Sequence, residues 1–242
     1  MFNIILLLRK GLLYMQAIME TIFETIYLIT AITLGIILIV KSNKKLVPLL
    51  FGISAIVLGV GDAFHLVPRM YGLDVVGLEN NVYALGIGKL ITSISMTFFY
   101  VLLYFVLIVR YPDQNKKYLT PTIIGLAIVR IILCSFPQNM WTLTDSSLSW
   151  VWGIYRNIPF VIIGIIMIIL FYQNAKENND KTFKYMWIAI LLSFAFYIPV
   201  VLFAATYSWV GMLMLPKTIC YIWIIIMGFR TLKNSDTILS TK

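Results

Sequence analysis

Residues 82–109 read VYALGIGKLITSISMTFFYVLLYFVLIV, an apolar run interrupted by a single charge, Lys89. At about 1.5 Å of rise per residue, a helix of this length exceeds the roughly 30 Å hydrocarbon core of a bilayer. A lone strand in lipid leaves its backbone groups unsatisfied, and the period-two alternation of a membrane barrel is absent here. The run therefore reads as a transmembrane helix. The remainder of the chain has the same character: of 242 residues, 61% are hydrophobic and 12% charged, and the mean hydropathy is +0.93. A soluble domain needs a charged surface that this composition does not supply, and a disordered chain would lack its apolar and aromatic residues. Two cysteines and one histidine exclude a disulfide scaffold, a four-cysteine zinc centre and any site built from several imidazoles.

Working outward from 82–109, further apolar stretches fall at 17–40, 46–67, 119–136, 149–172, 183–205 and 209–229. The prediction is an all-α integral membrane protein, a seven-transmembrane-helix bundle over 17–229 with short connections. A segment 1–16 precedes it and a short tail, 230–242, follows. The run Phe2–Leu8 is too short to span and has its charges, Arg9 and Lys10, on the wrong side for a signal peptide. It reads either as an interfacial segment or as the product of a start codon placed ahead of Met15 or Met19.

Orientation is read from the loops, because Lys and Arg concentrate on the cytoplasmic side. Lys41, Lys44, Lys45, Arg110, Lys116, Lys117, Lys176, Lys181, Lys184, Arg230, Lys233 and Lys242 fall on one side, against Arg69 in the opposite loops and Arg9 and Lys10 at the N-terminal end. The N-terminus is therefore expected outside and the C-terminus in the cytoplasm. Trp141, Trp150, Trp152, Tyr207 and Trp209 would mark the outer interface, and Tyr118, Tyr172 and Tyr185 the inner one. This topological signal accounts for most of the formal charge of +9, with no nucleic acid required. Abundant isoleucine, lysine and asparagine point to an AT-rich genome and a bacterial cytoplasmic membrane.

Intramembrane charges cost roughly 2.5–3.5 kcal/mol each at a helix centre, so they usually face the bundle interior and act there. Glu20 and Glu24 in the first span, Lys89 in the third, Arg156 in the fifth and Lys217 in the seventh lie near outer ends. So do Asp62 and His65 in the second span and Arg130 in the fourth. All fall roughly 5–12 Å below the outer boundary. The sixth span adds Tyr197 and Pro199 at a similar depth. The cations Lys89, Arg130, Arg156 and Lys217 exceed the acids Glu20, Glu24 and Asp62 by one. A buried cationic excess calls for an anion, so the layer is expected to hold a small anionic or amphiphilic ligand. Arg156 with Asn157 would form a multi-donor clamp, with Arg130 as a second. The competing readings are snorkelling of Lys89 and Arg156, and ion pairs of Glu20 or Glu24 with Lys217 or Arg130 that only hold helices together.

Residues 59–69, GVGDAFHLVPR, place Asp62, His65 and Arg69 on one helix face at i, i+3 and i+7. A carboxylate beside imidazole is the arrangement of a general base, whereas the structural reading is a histidine at a helix end broken by Pro68. Gly61–Asp62–Ala63–Phe64–His65 resembles a Gly-x-Gly-Ser-x-x-Phe-His segment of the seven-helix alkaline ceramidase and progestin-receptor-like superfamily. The resemblance implies zinc hydrolysis, but the serine is replaced and no His-x-x-x-His stands in the last span. A Schiff-base role for Lys217 has no further pattern behind it, and Cys134 and Cys220 read as packing residues. Three functions fit the layer. The first is a sensor or transporter whose ligand is held by Lys89, Arg130, Arg156, Asn157, Lys217, Glu20, Glu24 and Tyr197. The second is a metal-free enzyme acting on a lipid with Asp62 and His65 as acid and base, and the third a structural or partner-binding subunit. Below the layer only Tyr100 and Tyr104 offer polar atoms, which favours a dead-end pocket over a transport path. The expected partners are membrane lipids and the ligand, with no cofactor and no metal.

Overall fold

The computed structural model describes residues 2–112, 118–142 and 147–234. The side chains of Arg9 and Lys10, and the charges assigned at Lys116, Lys117 and Lys242, lie outside the described residues. Among the described residues the chain is helical apart from short connections, with no strand. The main helices are α1 (Phe2–Val40), α2 (Leu46–Tyr71), α3 (Val82–Arg110), α4 (Leu119–Ser135), α5 (Ser147–Glu177), α6 (Met186–Phe203) and α7 (Met214–Asn234). Six of these described helices are long and apolar enough to cross a membrane; α4, with 17 residues, is the shorter apolar helix.

Each helix packs on the next in sequence, and α7 returns to touch α1 and α2, so the bundle closes on itself. Its centre is aromatic. Tyr100 stands edge-on to Phe160 at 5.0 Å, Phe160 leans on Phe194 at 4.9 Å, and Phe99 meets Tyr221 at 5.7 Å. Such offset pairs contribute about 0.5–1.5 kcal/mol each beyond the area they bury. The polar atoms of the two inner tyrosines are used within the bundle: Tyr100 bonds Ser193 at 3.1 Å and Tyr104 bonds Thr120 at 2.9 Å.

Three boundaries differ from the hydropathy reading. Residues 2–16 are continuous with the first span in a single helix, α1. Pro68 does not end the second span, because α2 runs through it to Tyr71 and on into a wide turn at Gly72–Val76. The carbonyl that Pro68 deprives of a helical partner belongs to Phe64. That oxygen faces α3 at Gly88, where an added Cβ would stand 2.6 Å from the Cα of His65. Only a glycine allows this approach. The seventh helix begins at Met214, after a tight 3-10 segment at Ser208–Leu213, so Pro216 lies in the first turn of α7 and costs no helical hydrogen bond. Lys217 therefore projects from a helix start.

Candidate functional site

The charged layer resolves into three groups rather than one. The first joins α1 to α2. Arg69, carried into the bundle because α2 continues past Pro68, donates from Nε to Glu20 Oε1 at 2.6 Å and also pairs with it through a terminal nitrogen. Its Nε lies 3.7 Å from Glu24 Oε1, while Glu24 Oε2 is buried without a hydrogen-bond partner among the described residues. Beside this group, Thr21 donates to Asp74 at 3.0 Å and extends the contact into the wide turn after α2.

The second group is deeper. Tyr27 donates to Asp62 Oδ2 at 2.6 Å, and both side chains are buried. Asp62 also feels the charge of Lys217, which is 5% exposed. The Lys217 ammonium stands over two rings, 4.6 Å from the centre of Tyr197 and 5.3 Å from that of Tyr221. A desolvated ammonium on aromatic faces gains up to about 2 kcal/mol, which offsets part of the cost of burying it.

The third group surrounds Arg130 on α4. This guanidinium is 1% exposed, with its carbon 3.4 Å above the centre of the Phe160 ring. Its Nε and Nη1 have no hydrogen-bond partner among the described residues, and its polar neighbours are Tyr197, Cys134, Tyr221 and a second cation, Arg156. None of these is a carboxylate. Tyr197 in turn donates to Asn157 Oδ1 at 2.8 Å, and Asn157 Nδ2 is satisfied by the Gly153 carbonyl at 2.7 Å. Asn157 and Tyr197 also line an apolar groove of about 210 Å³ between α5 and α6, together with Ile158, Val161, Ile198 and Leu202. Ile158 and Ile162 on its wall are exposed.

Several expected contacts are absent. Arg156 and Asn157 turn to different partners: Arg156 donates from Nη1 to Asn139 Oδ1 at 2.7 Å and stacks at 4.2 Å on Trp141. Helical geometry explains this, since adjacent residues diverge by about 100° around the axis. Asp62 does not hydrogen-bond His65, because its carboxylate turns to Tyr27, and His65 Nδ1 has no partner among the described residues. Glu20 and Glu24 pair with Arg69 rather than with Lys217 or Arg130. Lys89 is exposed, as in the snorkelling reading. Among the described residues no three His, Cys, Asp or Glu side chains converge as a metal set.

Tyr27 and Asn139 were not singled out from sequence, and Trp141 was read only as a marker of the outer interface. For Tyr27 a signal existed: Glu20, Glu24 and Tyr27 follow at i, i+4 and i+7, one face of α1. Asn139 and Trp141 lie in the connection after α4, where no periodicity speaks for them. No family model, no curated protein and no solved structure matches this chain.

Proposed function

We propose that this multi-pass helical protein is a seven-helix membrane protein, N-terminus outside, whose outer polar layer binds a small anionic or amphiphilic molecule, as a sensor or transporter does. The single observation that carries the reading is Arg130. A guanidinium is always charged, and one buried on a phenyl ring with two unpartnered donor atoms and no carboxylate beside it is uncompensated. An anion seated against it would supply both the charge and the acceptors. Lys217, Tyr197 and Asn157 border the same region, and the groove between α5 and α6 offers an apolar chain a lateral way in.

Two physical points support the membrane arrangement. Helix α4 spans about 26 Å, a shortfall of a few ångströms that a bilayer accommodates by local thinning. The cationic residues at Lys41, Lys44, Lys45, Lys176, Lys181, Lys184, Arg230 and Lys233 lie at the same ends of the helices, the cytoplasmic ends by the positive-inside rule. A bacterial cytoplasmic membrane is the setting that composition favours.

Dodecyl phosphate unites the anion and the apolar chain, and it tests the reading in protein purified in neutral detergent. At one hundred times its Kd it should stabilise the wild type by about 2.7 kcal/mol. Neutral dodecanol and an Arg130→Met variant should show no such gain. Equal stabilisation of wild type and Arg130→Met would remove the proposed site. Stabilisation of neither, together with strong destabilisation by Arg130→Met alone, would make the layer structural.

A further inference from the structure

On the other face of the bundle, α5 and α6 meet in an elbow that surrounds a pocket of about 400 Å³, lined by Tyr172, Lys176, Lys181, Lys184, Tyr185 and Trp187. The elbow is built by local hydrogen bonds. Asn179 adopts φ 48°, the Asp180 amide returns to the Ala175 carbonyl at 2.9 Å, and Asp180 Oδ1 accepts the Thr182 amide at 2.8 Å. Asp180 also belongs to the pocket wall, but its charge is already used. Oδ2 accepts from Arg110 Nε at 2.5 Å and from the Tyr111 hydroxyl at 2.7 Å, and the Arg110–Asp180 pair is buried. Glu177 is exposed and not part of the wall.

Three lysines therefore face the pocket without a compensating acid, and none of them forms an ion pair among the described residues. Two are held by rings: the Lys176 ammonium lies 5.8 Å from the Tyr172 centre, and that of Lys184 lies 5.3 Å from Tyr185. Tyr172 meets Trp187 edge-on at 5.4 Å, which fixes the two walls relative to each other. The depth is equally specific. Tyr172 ends the apolar run of α5 and Tyr185 immediately precedes that of α6, so the pocket sits where hydrocarbon gives way to water.

We infer that this pocket binds the phosphate headgroup of an anionic membrane lipid, with the lysines on the phosphate and the aromatic wall against the glycerol and upper acyl chain. Cationic pockets between helices at a membrane face recognise such headgroups, and the aromatic wall adds amphipathic contact that a free ion would not use. The site is separate from the layer around Arg130 and stands or falls independently of it.

The test is amine acylation of the intact chain in nanodiscs, mapped lysine by lysine. With phosphatidylglycerol in place of phosphatidylcholine, Lys176, Lys181 and Lys184 should react about tenfold more slowly, and Lys41 and Lys44 at the same face should change little. Millimolar inorganic phosphate in phosphatidylcholine discs should give no protection. Equal slowing of all five lysines would reduce the effect to general surface potential and overturn the pocket. Protection by inorganic phosphate alone would overturn the lipid as occupant. A Lys176→Gln/Lys181→Gln/Lys184→Gln variant should retain one phosphatidylglycerol fewer per chain by native mass spectrometry, and an unchanged count would contradict the assignment.

Discussion

At the scale of single residues, Arg130 is held in an unfavourable state. Where a buried charge lacks a partner, exchange for an apolar side chain of similar size is often neutral or stabilising, by about 1–4 kcal/mol. Arg130→Met should therefore leave the ligand-free protein as stable as the wild type or more so, measured by thermal unfolding in neutral detergent. Were Arg130 a structural ion-pair partner, the same change would cost about 3–5 kcal/mol. Asp62 is the opposite case, a buried carboxylate with a good partner. Removing the hydroxyl with Tyr27→Phe should cost about 1–3 kcal/mol, because Asp62 Oδ2 loses the donor at 2.6 Å. Adding Asp62→Asn to Tyr27→Phe should recover part of that loss, and no recovery would mean that the carboxylate's charge is not what suffers.

At the scale of elements, α2 and α3 depend on one close approach. Thr92 donates to the Gly61 carbonyl at 3.0 Å and Asn81 to the Pro68 carbonyl at 2.6 Å, so side chains of α3 and of the turn before it bond directly to the backbone of α2. Gly88→Ala should separate the two helices and destabilise by about 1–3 kcal/mol, as overpacking does. Gly125→Ala on α4, where nothing stands within 4 Å, is the matched control and should be close to neutral. The elbow between α5 and α6 carries the pH dependence. Burial alone would raise the Asp180 carboxyl, but Arg110, with help from Tyr111 and the Thr182 amide, holds it below the usual carboxylate range. A carboxyl lowered in the folded state stabilises the protein above its unfolded pKa of about 3.9, and that stability is lost as pH falls through the lower folded value. Asp180→Asn should lower Tm at neutral pH and flatten the acid limb of the Tm–pH profile; a parallel shift at all pH values would refute the linkage.

At the scale of the whole molecule, apolar length and helical periodicity were enough to find every long helix, since hydrocarbon thickness acts on each span separately. The common depth expected for the charged residues was counted along each helix separately. Partner choice was not legible. It depends on how far each helix is rotated about its axis and on which helices adjoin, and neither follows from position in a span. Hence Arg69 was counted with the loops as well as with the face of Asp62, and Asp62 was set beside His65, whereas the folded chain joins them to Glu20 and Tyr27. Pro68 misled for a related reason, since whether a proline ends a helix depends on the backbone and neighbours around it. The proposed orientation makes its own prediction. In a background without Cys134 and Cys220, a membrane-impermeant maleimide should label Glu79→Cys in intact cells, and Lys41→Cys only after permeabilisation. The reverse pattern would invert the bundle.

The account's central claim is that the layer around Arg130 holds an anion, and native mass spectrometry of gently extracted protein measures this most directly. The wild type should retain an anionic or amphiphilic adduct that Arg130→Met lacks, and the mass difference would identify its class. Identical spectra for the two proteins, whether bare or bearing the same adducts, would contradict the claim and leave the layer as a set of helix-to-helix contacts.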